Sequence, residues 1–444
     1  MKQHTRKTIL IGFAFLSISA FWQMYDNVIP KILTETFNLP ESISGYIMAA
    51  DNVLALFLLP FFGGLSDRCK SPIGRRRPFI LTGTLLAVAL MTLLPLIDNS
   101  YFANPDKTKI LFFIGALALV LISMGIYRSP AVALMPDVTP KPLRSKGNAI
   151  INLMGAIGGI MYLIVTTFLY SAKRTEGLEH INYLPLFIIV AGIMIVALCV
   201  IMFVVNEPKL VAEQAEYEKQ HPEFTLTKKD ENKGKEVLPK KVKISLLFLL
   251  SSIALWYIGY NGISTWFTTY AKQVWDMNLG DASLCLTIAT VGAIVTYIPA
   301  GAIAGKIGRK KTILFGAMLL ALSFGSAYVY TLFFDSFSPI LYVIFVLVGI
   351  AWAAINVNSL PMVVEMCSGA DVGKFTGYYY TFSMAGQIVT PILAGYILKH
   401  ISYHVLFLYS SVFVALSFVT MCFVMHGDNK IEVKKGLEAF DVDD

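Results

Sequence analysis

Residues Gly63–Arg77 read GGLSDRCKSPIGRRR, and a shorter copy of this stretch, GAIAGKIGRKK, occupies Gly301–Lys311. Each copy separates two apolar runs that are long enough to cross a membrane. A second pair of segments, RSPAVALMPD at Arg128–Asp137 and NVNSLPMVVE at Asn356–Glu365, shares its spacing and its closing carboxylate. These repeats predict that the chain consists of two copies of one structural unit.

Composition places the repeat in a membrane protein. Of the 444 residues, 56% are hydrophobic and 15% are charged, whereas soluble domains average roughly 45–50% apolar and ~25% charged residues. Proline, glycine and charge clusters cut the chain into twelve apolar windows, at 8–33, 43–65, 78–97, 110–135, 146–171, 184–206, 243–270, 281–304, 311–334, 338–362, 374–399 and 403–426. We therefore predict an all-α polytopic membrane protein with twelve transmembrane helices in two six-helix halves.

The polar segments define the domain organisation and the orientation. We predict a first half at 1–206, a solvated linker at 207–242, a second half at 243–426 and a tail at 427–444. Lysine and arginine concentrate at the N-terminus, in the repeated loops, in the linker and in the tail. The positive-inside rule then puts both termini in the cytoplasm. The net charge of +7 is thus a topology signal, and no nucleic-acid partner is expected.

The residue types also argue against several other classes of protein. The five cysteines are scattered without metal-ligand spacing, so neither a disulfide framework nor a metal site is expected. Zincin, nucleophile-elbow and phosphate-loop motifs do not occur in the sequence, and we expect neither an enzyme nor a cofactor. Short loops without glycosylation sequons favour a multi-pass protein of a bacterial inner membrane. We expect the lipid bilayer as a partner, and a monomer.

The Gly63–Arg77 loop has the residues of a charged latch. A glycine lets helices approach each other, and a carboxylate accepts hydrogen bonds from arginines and from a facing helix N-terminus. The predicted latch consists of Gly63, Asp67, Arg68, Gly74, Arg75 and Arg76, together with the carboxylates Asp137 and Glu365 that close the second repeat. Gly305 replaces the acid in the second copy of the loop, so a weaker latch is expected there.

This loop resembles the cytoplasmic loop signature of the major facilitator superfamily, and the likeness to that superfamily covers the whole chain. Its longer form, SDRCKSPIGRRRPFI at Ser66–Ile80, is similar to the plant sucrose transporters and their animal solute-carrier relatives, as is PAVALMPD at Pro130–Asp137. A broader likeness is to the glycoside–pentoside–hexuronide cation symporters. The resemblance implies the major facilitator fold and proton-coupled uptake of a glycoside, most often a disaccharide.

Two carboxylates inside the predicted spans need an explanation, because each costs at least ~2.5–3.5 kcal/mol to insert. Asp26 and Asp51 lie at similar depth on consecutive antiparallel helices, about 10 Å below the outer surface. Two acids in one low-dielectric site cannot both ionise easily, so we predict that this pair carries the coupling proton. The alternatives are that the pair holds Na⁺ with oxygens of Asn27 and Asn52, lines a wet vestibule, or bonds to a neighbouring helix. The plant relatives share a span-four aspartate linked to protonation, and 119–123 of this chain contains no acid.

Arg128 is a third charge inside a predicted span, with Tyr127 beside it and Asn356 at the equivalent place of the second half. An arginine that points into a central cavity is suited to hold a pair of sugar hydroxyls or to attract a gating carboxylate. The alternative is a fixed structural pair with Asp137 or with another acid near the inner end of the span.

Aromatic and amide residues recur at helical spacing in several spans, which puts each set on one helix face. Proteins bind sugars with aromatic faces and with amide, carboxylate and guanidinium hydrogen bonds. The predicted substrate-binding residues are Trp22, Gln23, Asn52, Tyr127, Arg128, Tyr257, Tyr260, Asn261, Trp352, Asn356, Tyr379, Tyr380 and Gln387. Interhelical hydrogen bonding is the alternative for any one of them.

These features predict a secondary active transporter that couples the symport of a glycoside to protons by alternating access between its halves. We expect a small-molecule sugar and the lipid bilayer as its partners. The rival interpretations are Na⁺-coupled transport, transport of another polar solute, and a membrane sensor that does not transport. A sensor is expected to append a signalling domain, for which the linker and the tail are too short.

Overall fold

The computed structural model describes residues 2–139, 144–220, 239–366 and 372–428. Within these ranges, twelve helical segments are long and apolar enough to cross a membrane, which confirms the predicted fold class. Most of their ends lie within a few residues of the predicted windows. The chain separates into an N-terminal unit, Met1–Pro40 with Ala50–Thr225, and a C-terminal unit, Glu41–Ala49 with Leu226–Asp444.

The described helices follow each other in chain order. The first half of the chain forms α1 (Lys2–Lys31), α2 (Glu41–Asp67), α3 (Arg77–Met91), α4 (Leu93–Ala103), α5 (Lys107–Val138), α6 (Arg144–Leu169), α7 (Ala172–Thr175), α8 (Leu184–Val204) and α9 (Glu207–Gln220). The second half forms α10 (Lys240–Trp275), α11 (Leu279–Ile307), α12 (Arg309–Phe333), α13 (Ile340–Val364), α14 (Val372–His400) and α15 (Leu406–Cys422).

Three helix pairs of the N-terminal unit have a counterpart in the C-terminal unit. In the N-terminal unit α1 packs on α6 and α8, and α5 packs on α3; in the C-terminal unit α10 packs on α14 and α15, and α13 packs on α12. Close approach depends on glycine in both units. A Cβ atom on Gly158 would lie 1.9 Å from the Leu16 carbonyl oxygen, and one on Gly386 would lie 2.9 Å from that of Ala254. The packing therefore agrees with the duplication inferred from the loop repeats.

The third span is divided, which the hydropathy pattern does not reveal. Helix α3 ends at Met91 and α4 begins at Leu93, with Thr92 between them. Pro95 has no N–H to donate to the carbonyl of Met91, so the regular ladder is broken at this turn. A π-helical turn, Ile32–Thr36, continues α1 at the same end of the unit.

The segment expected to be a linker begins with helix α9. This helix belongs to the N-terminal unit, where Lys7 Nζ lies 2.5 Å from Glu213 Oε2. The rest of the expected linker up to residue 238 and the tail beyond residue 428 lie outside the described residues.

Candidate functional site

The N-terminal unit brings the two predicted acids together. Asp26 on α1 and Asp51 on α2 are each partly exposed, and their carboxylates are close enough to interact electrostatically. Tyr25, which is 1% exposed, is within the same electrostatic range of both acids. Asn52 donates its amide N–H to Asp51 Oδ1 over 2.8 Å. Two acids from consecutive helices therefore lie within electrostatic range of each other.

Arg128 completes the charged group. It interacts electrostatically with Asp51, and its guanidinium carbon lies 5.7 Å from the centre of the Trp22 ring. This distance is within the range of a cation–π contact. The indole Nε1 of Trp22 is buried and has no acceptor among the described residues. We refer to Asp26, Asp51, Arg128 and Trp22 as the acid–arginine cluster.

Two other predicted residues of this unit lie in different surroundings. Tyr127 is 1% exposed, and its hydroxyl lies 2.6 Å from Ser17 Oγ and 3.0 Å from the Ala14 carbonyl oxygen. It therefore ties α5 to α1, apart from the acid–arginine cluster. Gln23 accepts a hydrogen bond from Asn27 over 2.6 Å through its backbone carbonyl.

Lys31 is a residue whose placement sequence reasoning missed. Lys31 lies near the end of the first span, where a charged side chain is expected to reach solvent, but its side chain is 1% exposed. Lys31 Nζ donates to Glu35 Oε1 over 2.7 Å, across the start of the π-helical turn. A buried lysine is tolerated when it is paired in this way. The i, i+4 spacing of Lys31 and Glu35 was the available signal.

The C-terminal unit brings together the predicted aromatic residues of three helices. The rings of Tyr260 and Trp352 stack with centroids 3.7 Å apart and planes inclined by 6°. Tyr257 meets the same indole edge to face at 5.5 Å. The hydroxyl of Tyr379 lies 3.3 Å from that of Tyr257 and 3.3 Å from Ser359 Oγ. We call Tyr257, Tyr260, Trp352 and Tyr379 the aromatic cluster.

Amide groups with unused hydrogen-bonding capacity occur on two of these helices. The Nδ2 of Asn261 and the Oδ1 of Asn356 are buried and have no partner among the described residues. Buried amide groups are normally paired, so this donor and this acceptor keep hydrogen-bonding capacity that the described residues do not use. Tyr380 packs against Tyr379 at 5.5 Å, and Gln387 lies about two turns further along α14, partly exposed.

The first repeated loop forms the charged network predicted for it. Arg76 is the centre: its Nε donates to Asp137 Oδ2 over 2.7 Å, and its Nη2 pairs with Asp67. Its Nη1 donates to the Gly63 carbonyl oxygen over 3.3 Å. Arg75 adds a second bond to Asp137, over 2.7 Å. The arginine thereby joins the ends of α2 and α5 to the start of α3.

Glu207 is the residue of this network that the sequence did not reveal. It is 1% exposed, and its carboxylate accepts the backbone N–H groups of Arg75, Arg76 and Arg77 over 2.9–3.1 Å. These groups lie at the N-terminus of α3, where a negative charge is favoured. Gly74, with a φ of +115°, brings the backbone to this carboxylate. Arg68, the remaining predicted member, is exposed to solvent.

The second loop has a reduced form of the same network. Arg309 pairs with Glu365, as Arg76 pairs with Asp137. Asp428 accepts the backbone N–H of Arg309 over 2.6 Å at the start of α12, where Gly308 has a φ of +100°. Both units thus pair an arginine with a carboxylate at a helix end and cap the following helix with a second carboxylate.

Comparison with known proteins shows the family to which the chain belongs. A family model described as the Major Facilitator Superfamily matches residues 11–283 and 273–440. The chain therefore belongs to the major facilitator superfamily. Among solved structures, that of a D-xylose-proton symporter superposes with a TM-score of 0.67 at 17% identity, covering 95% of this chain and 98% of that chain. That of the nucleoside transporter NupG superposes with a TM-score of 0.66 at 14% identity, covering 94% and 100%. Identities this low show the fold alone.

Several sequence relatives are named as sugar transporters. Sucrose transport protein SUC3 of Arabidopsis thaliana is 30% identical over 140 residues, which cover 29% of this chain and 23% of that protein. Proton-associated sugar transporter A of Mus musculus is 33% identical over 156 residues, which cover 33% of this chain and 20% of that protein. The matched segments thus span about a quarter or less of the length of these relatives.

Proposed function

We propose that the protein is a proton-coupled symporter that takes up a glycoside, most simply a disaccharide, across a bacterial inner membrane. The observation that carries this proposal is the chemistry of its two clusters: paired acids with an arginine in one unit, and stacked aromatic rings with unpaired amides in the other. The names of the sequence relatives support sugar as the substrate class. The positive-inside rule, applied to the basic loops, supports an orientation with both termini in the cytoplasm.

The acid pair supplies the proton site. Two partly buried carboxylates within electrostatic range repel each other when both are charged, so the pair retains one proton more readily than an isolated acid. Arg128 attracts the carboxylate of Asp51 and therefore favours Asp26 as the carrier of the proton. Release of the proton leaves a net negative charge next to the guanidinium, and this change in charge is what couples proton binding to the conformation.

The aromatic cluster supplies the sugar site. The C–H faces of pyranose rings pack on aromatic faces, and the Tyr260–Trp352 stack offers a rigid platform for that contact. The unpaired amides of Asn261 and Asn356 supply one donor and one acceptor for hydroxyl groups. Uncharged hydrogen-bonding groups suit a neutral, polyhydroxylated ligand better than an ionic one.

The Arg76 network acts as the conformational latch. Asp67 and Asp137 come from different helices and are held by one arginine, so movement of α2 against α5 breaks charge-assisted hydrogen bonds. Alternating access requires helix ends to separate in one of the two states. The network stabilises the state in which its bonds are made.

Uptake into proteoliposomes tests the proposed function. Purified protein is assayed with radiolabelled mono-, di- and trisaccharides under an imposed pH gradient or an imposed Na⁺ gradient, each with and without an uncoupler. We expect accumulation of a glycoside that follows the pH gradient and disappears with the uncoupler. Accumulation that follows only the Na⁺ gradient would replace proton coupling by sodium coupling. Failure of all sugars, with uptake of another polar solute, would reject the substrate class.

A further inference from the structure

Asp98 is a buried carboxylate that does not belong to the acid–arginine cluster. Its side chain on α4 is 0% exposed, and neither of its oxygens has a hydrogen-bond partner of normal geometry among the described residues. The titratable side chain of His180 lies beside it, with Nε2 3.5 Å from Asp98 Oδ2. A carboxylate buried in this way is costly to keep charged.

The hydrogen-bond network fixes the state of the His180 ring. The backbone N–H of Leu184 donates to Asn182 Oδ1 over 3.0 Å, so this oxygen is an acceptor. Asn99 therefore directs its Nδ2 at Asn182 Oδ1, over 2.8 Å, and its Oδ1 at His180 Nε2, over 2.9 Å. It follows that Nε2 carries a hydrogen, and that Nδ1 is the position that takes up the second proton.

The surroundings of His180 disfavour a charged imidazole while Asp98 is neutral. Phe102 stacks on the imidazole with centroids 4.5 Å apart, and burial lowers the pKa of His180. The side chain of His180 is nevertheless 14% exposed, so solvent reaches it, whereas the Asp98 carboxylate is fully buried. His180 can thus exchange a proton with solvent on behalf of a fully buried acid.

Several other polar and titratable groups surround the Asp98–His180 pair. From the π-helical turn, Thr36 faces the carboxylate, and Glu35 is paired with the buried Lys31. Tyr183, at the start of α8, is within electrostatic range of Asp98 and Glu35. At the start of α5, Lys109 donates to backbone carbonyls at the end of α4, and the exposed Asp106 caps its own helix. None of these cations among the described residues neutralises Asp98.

We propose that Asp98 and His180 form a second proton-binding site, separate from the acid–arginine cluster, at the end of the N-terminal unit opposite to the Gly63–Arg77 loop. The pair carries one negative charge when Asp98 is ionised and His180 is neutral, and it becomes neutral when it binds one proton. The carboxylate faces the π-helical turn that continues α1, the helix of Asp26. Proton binding therefore changes the charge beside the end of the helix that carries the proposed coupling acid.

This site does not require that the substrate is a sugar, so its test needs no substrate. Full-length protein in lipid bilayers is titrated from acidic to alkaline pH by difference infrared spectroscopy of protonated carboxyl groups. Wild type is compared with Asp98→Asn, His180→Gln and the matched control Glu179→Gln, which neutralises an exposed acid next to His180. A second measurement follows the ring of His180 by NMR of histidine-labelled protein, assigned by its loss in His180→Gln.

We expect Asp98→Asn to remove one titrating carboxyl component and His180→Gln to move the midpoint of that component by about one pH unit. The control leaves both unchanged. In the NMR titration, Asp98→Asn lowers the midpoint of His180, because it removes the carboxylate that favours the charged ring. A carboxyl titration of Asp98→Asn that superimposes on that of wild type would overturn the proposal, as would an Asp98 component that ignores His180→Gln. If Asp98→Asn does not fold, the His180→Gln midpoint alone decides the outcome. If the wild-type protein shows no proton-driven sugar uptake, the proposed function is rejected, and the result for Asp98 and His180 is unaffected.

Discussion

Equivalent helices carry different chemistry in the two units. Arg128 in the N-terminal unit and Asn356 in the C-terminal unit occupy the same place of the repeat. Arg128 is within electrostatic range of Asp51 and lies near the Trp22 ring. Asn356 lies on α13, the helix of Trp352, and the Trp352 ring contacts the rings of Tyr257 and Tyr260. A duplicated scaffold has thus kept its helix packing and divided its charged and uncharged polar groups between the two copies. We interpret this as a division between proton binding and sugar binding.

The loop networks repeat the contrast on a smaller scale. Arg76 bonds to two side-chain carboxylates, whereas Arg309 pairs with Glu365, and Gly305 stands where the first loop has Asp67. Capping by a distant carboxylate is common to both. The capping is therefore the shared part of the design, and the number of carboxylates on the arginine is the part that differs.

The largest effect is expected from neutralising the acid pair. Asp26→Asn and Asp51→Asn should each abolish accumulation against a gradient while exchange of sugar across the membrane continues, because the coupling proton has lost its site. Gradient-driven uptake and counterflow in proteoliposomes measure the two activities. Asp106→Asn, a change at an exposed helix cap, is the control and should accumulate normally. Normal accumulation by both acid variants would refute the division between the units.

A smaller effect is expected from the aromatic platform. Trp352→Ala removes the ring that stacks on Tyr260, and we expect it to weaken sugar binding about tenfold, or ~1.4 kcal/mol. Trp352→Phe keeps an aromatic face and should retain most of the affinity. Binding is measured by calorimetry on purified protein. Equal affinities for wild type and Trp352→Ala would remove the aromatic cluster from the sugar site.

The two latches differ enough to be compared by stability. Arg76→Ala breaks charge-assisted hydrogen bonds to two carboxylates, Asp67 and Asp137, at about 1.5–3 kcal/mol each, and should cost about 3–5 kcal/mol. Arg75 remains as a partner of Asp137 in this variant. Arg309→Ala removes one ion pair and should cost about 1.5–3 kcal/mol. Unfolding of each variant in detergent gives the ranking. A larger loss for Arg309→Ala would contradict the inferred difference between the loops.

The smallest effect is expected at the caps. Glu207→Gln keeps an acceptor for the backbone N–H groups of α3 but loses the charge, and should cost about 0.5–2 kcal/mol. Asp428→Asn should cost less, because its carboxylate caps one arginine N–H at an exposed site. Thermal unfolding of the two variants under the same conditions measures this order. A lower midpoint for Asp428→Asn than for Glu207→Gln would contradict it.

Much of the fold was predictable because its signals are local. The length of each apolar run and the loop repeats were sufficient for twelve helices and for the two copies. The division of the third span was missed because a single proline acts on hydrogen bonds and leaves hydropathy unchanged.

The site was predictable where depth and face determine it, as for Asp26 with Asp51 and for Tyr260 with Trp352. Glu207 caps residues about 130 positions earlier in the chain, and no local pattern connects them. Tyr127 shows the opposite case: its neighbour Arg128 reaches the acids, but the helix turns its own ring toward α1.

The pH dependence of sugar affinity tests the central claim most directly, because it reads both units in one experiment. Binding of the transported sugar is measured across a pH series for wild type, Asp26→Asn and Trp352→Phe. The account predicts that wild-type affinity falls as the pH rises, that Asp26→Asn binds with an affinity independent of pH, and that Trp352→Phe runs parallel to wild type at lower affinity. A pH dependence that survives in Asp26→Asn and disappears in Trp352→Phe would contradict it.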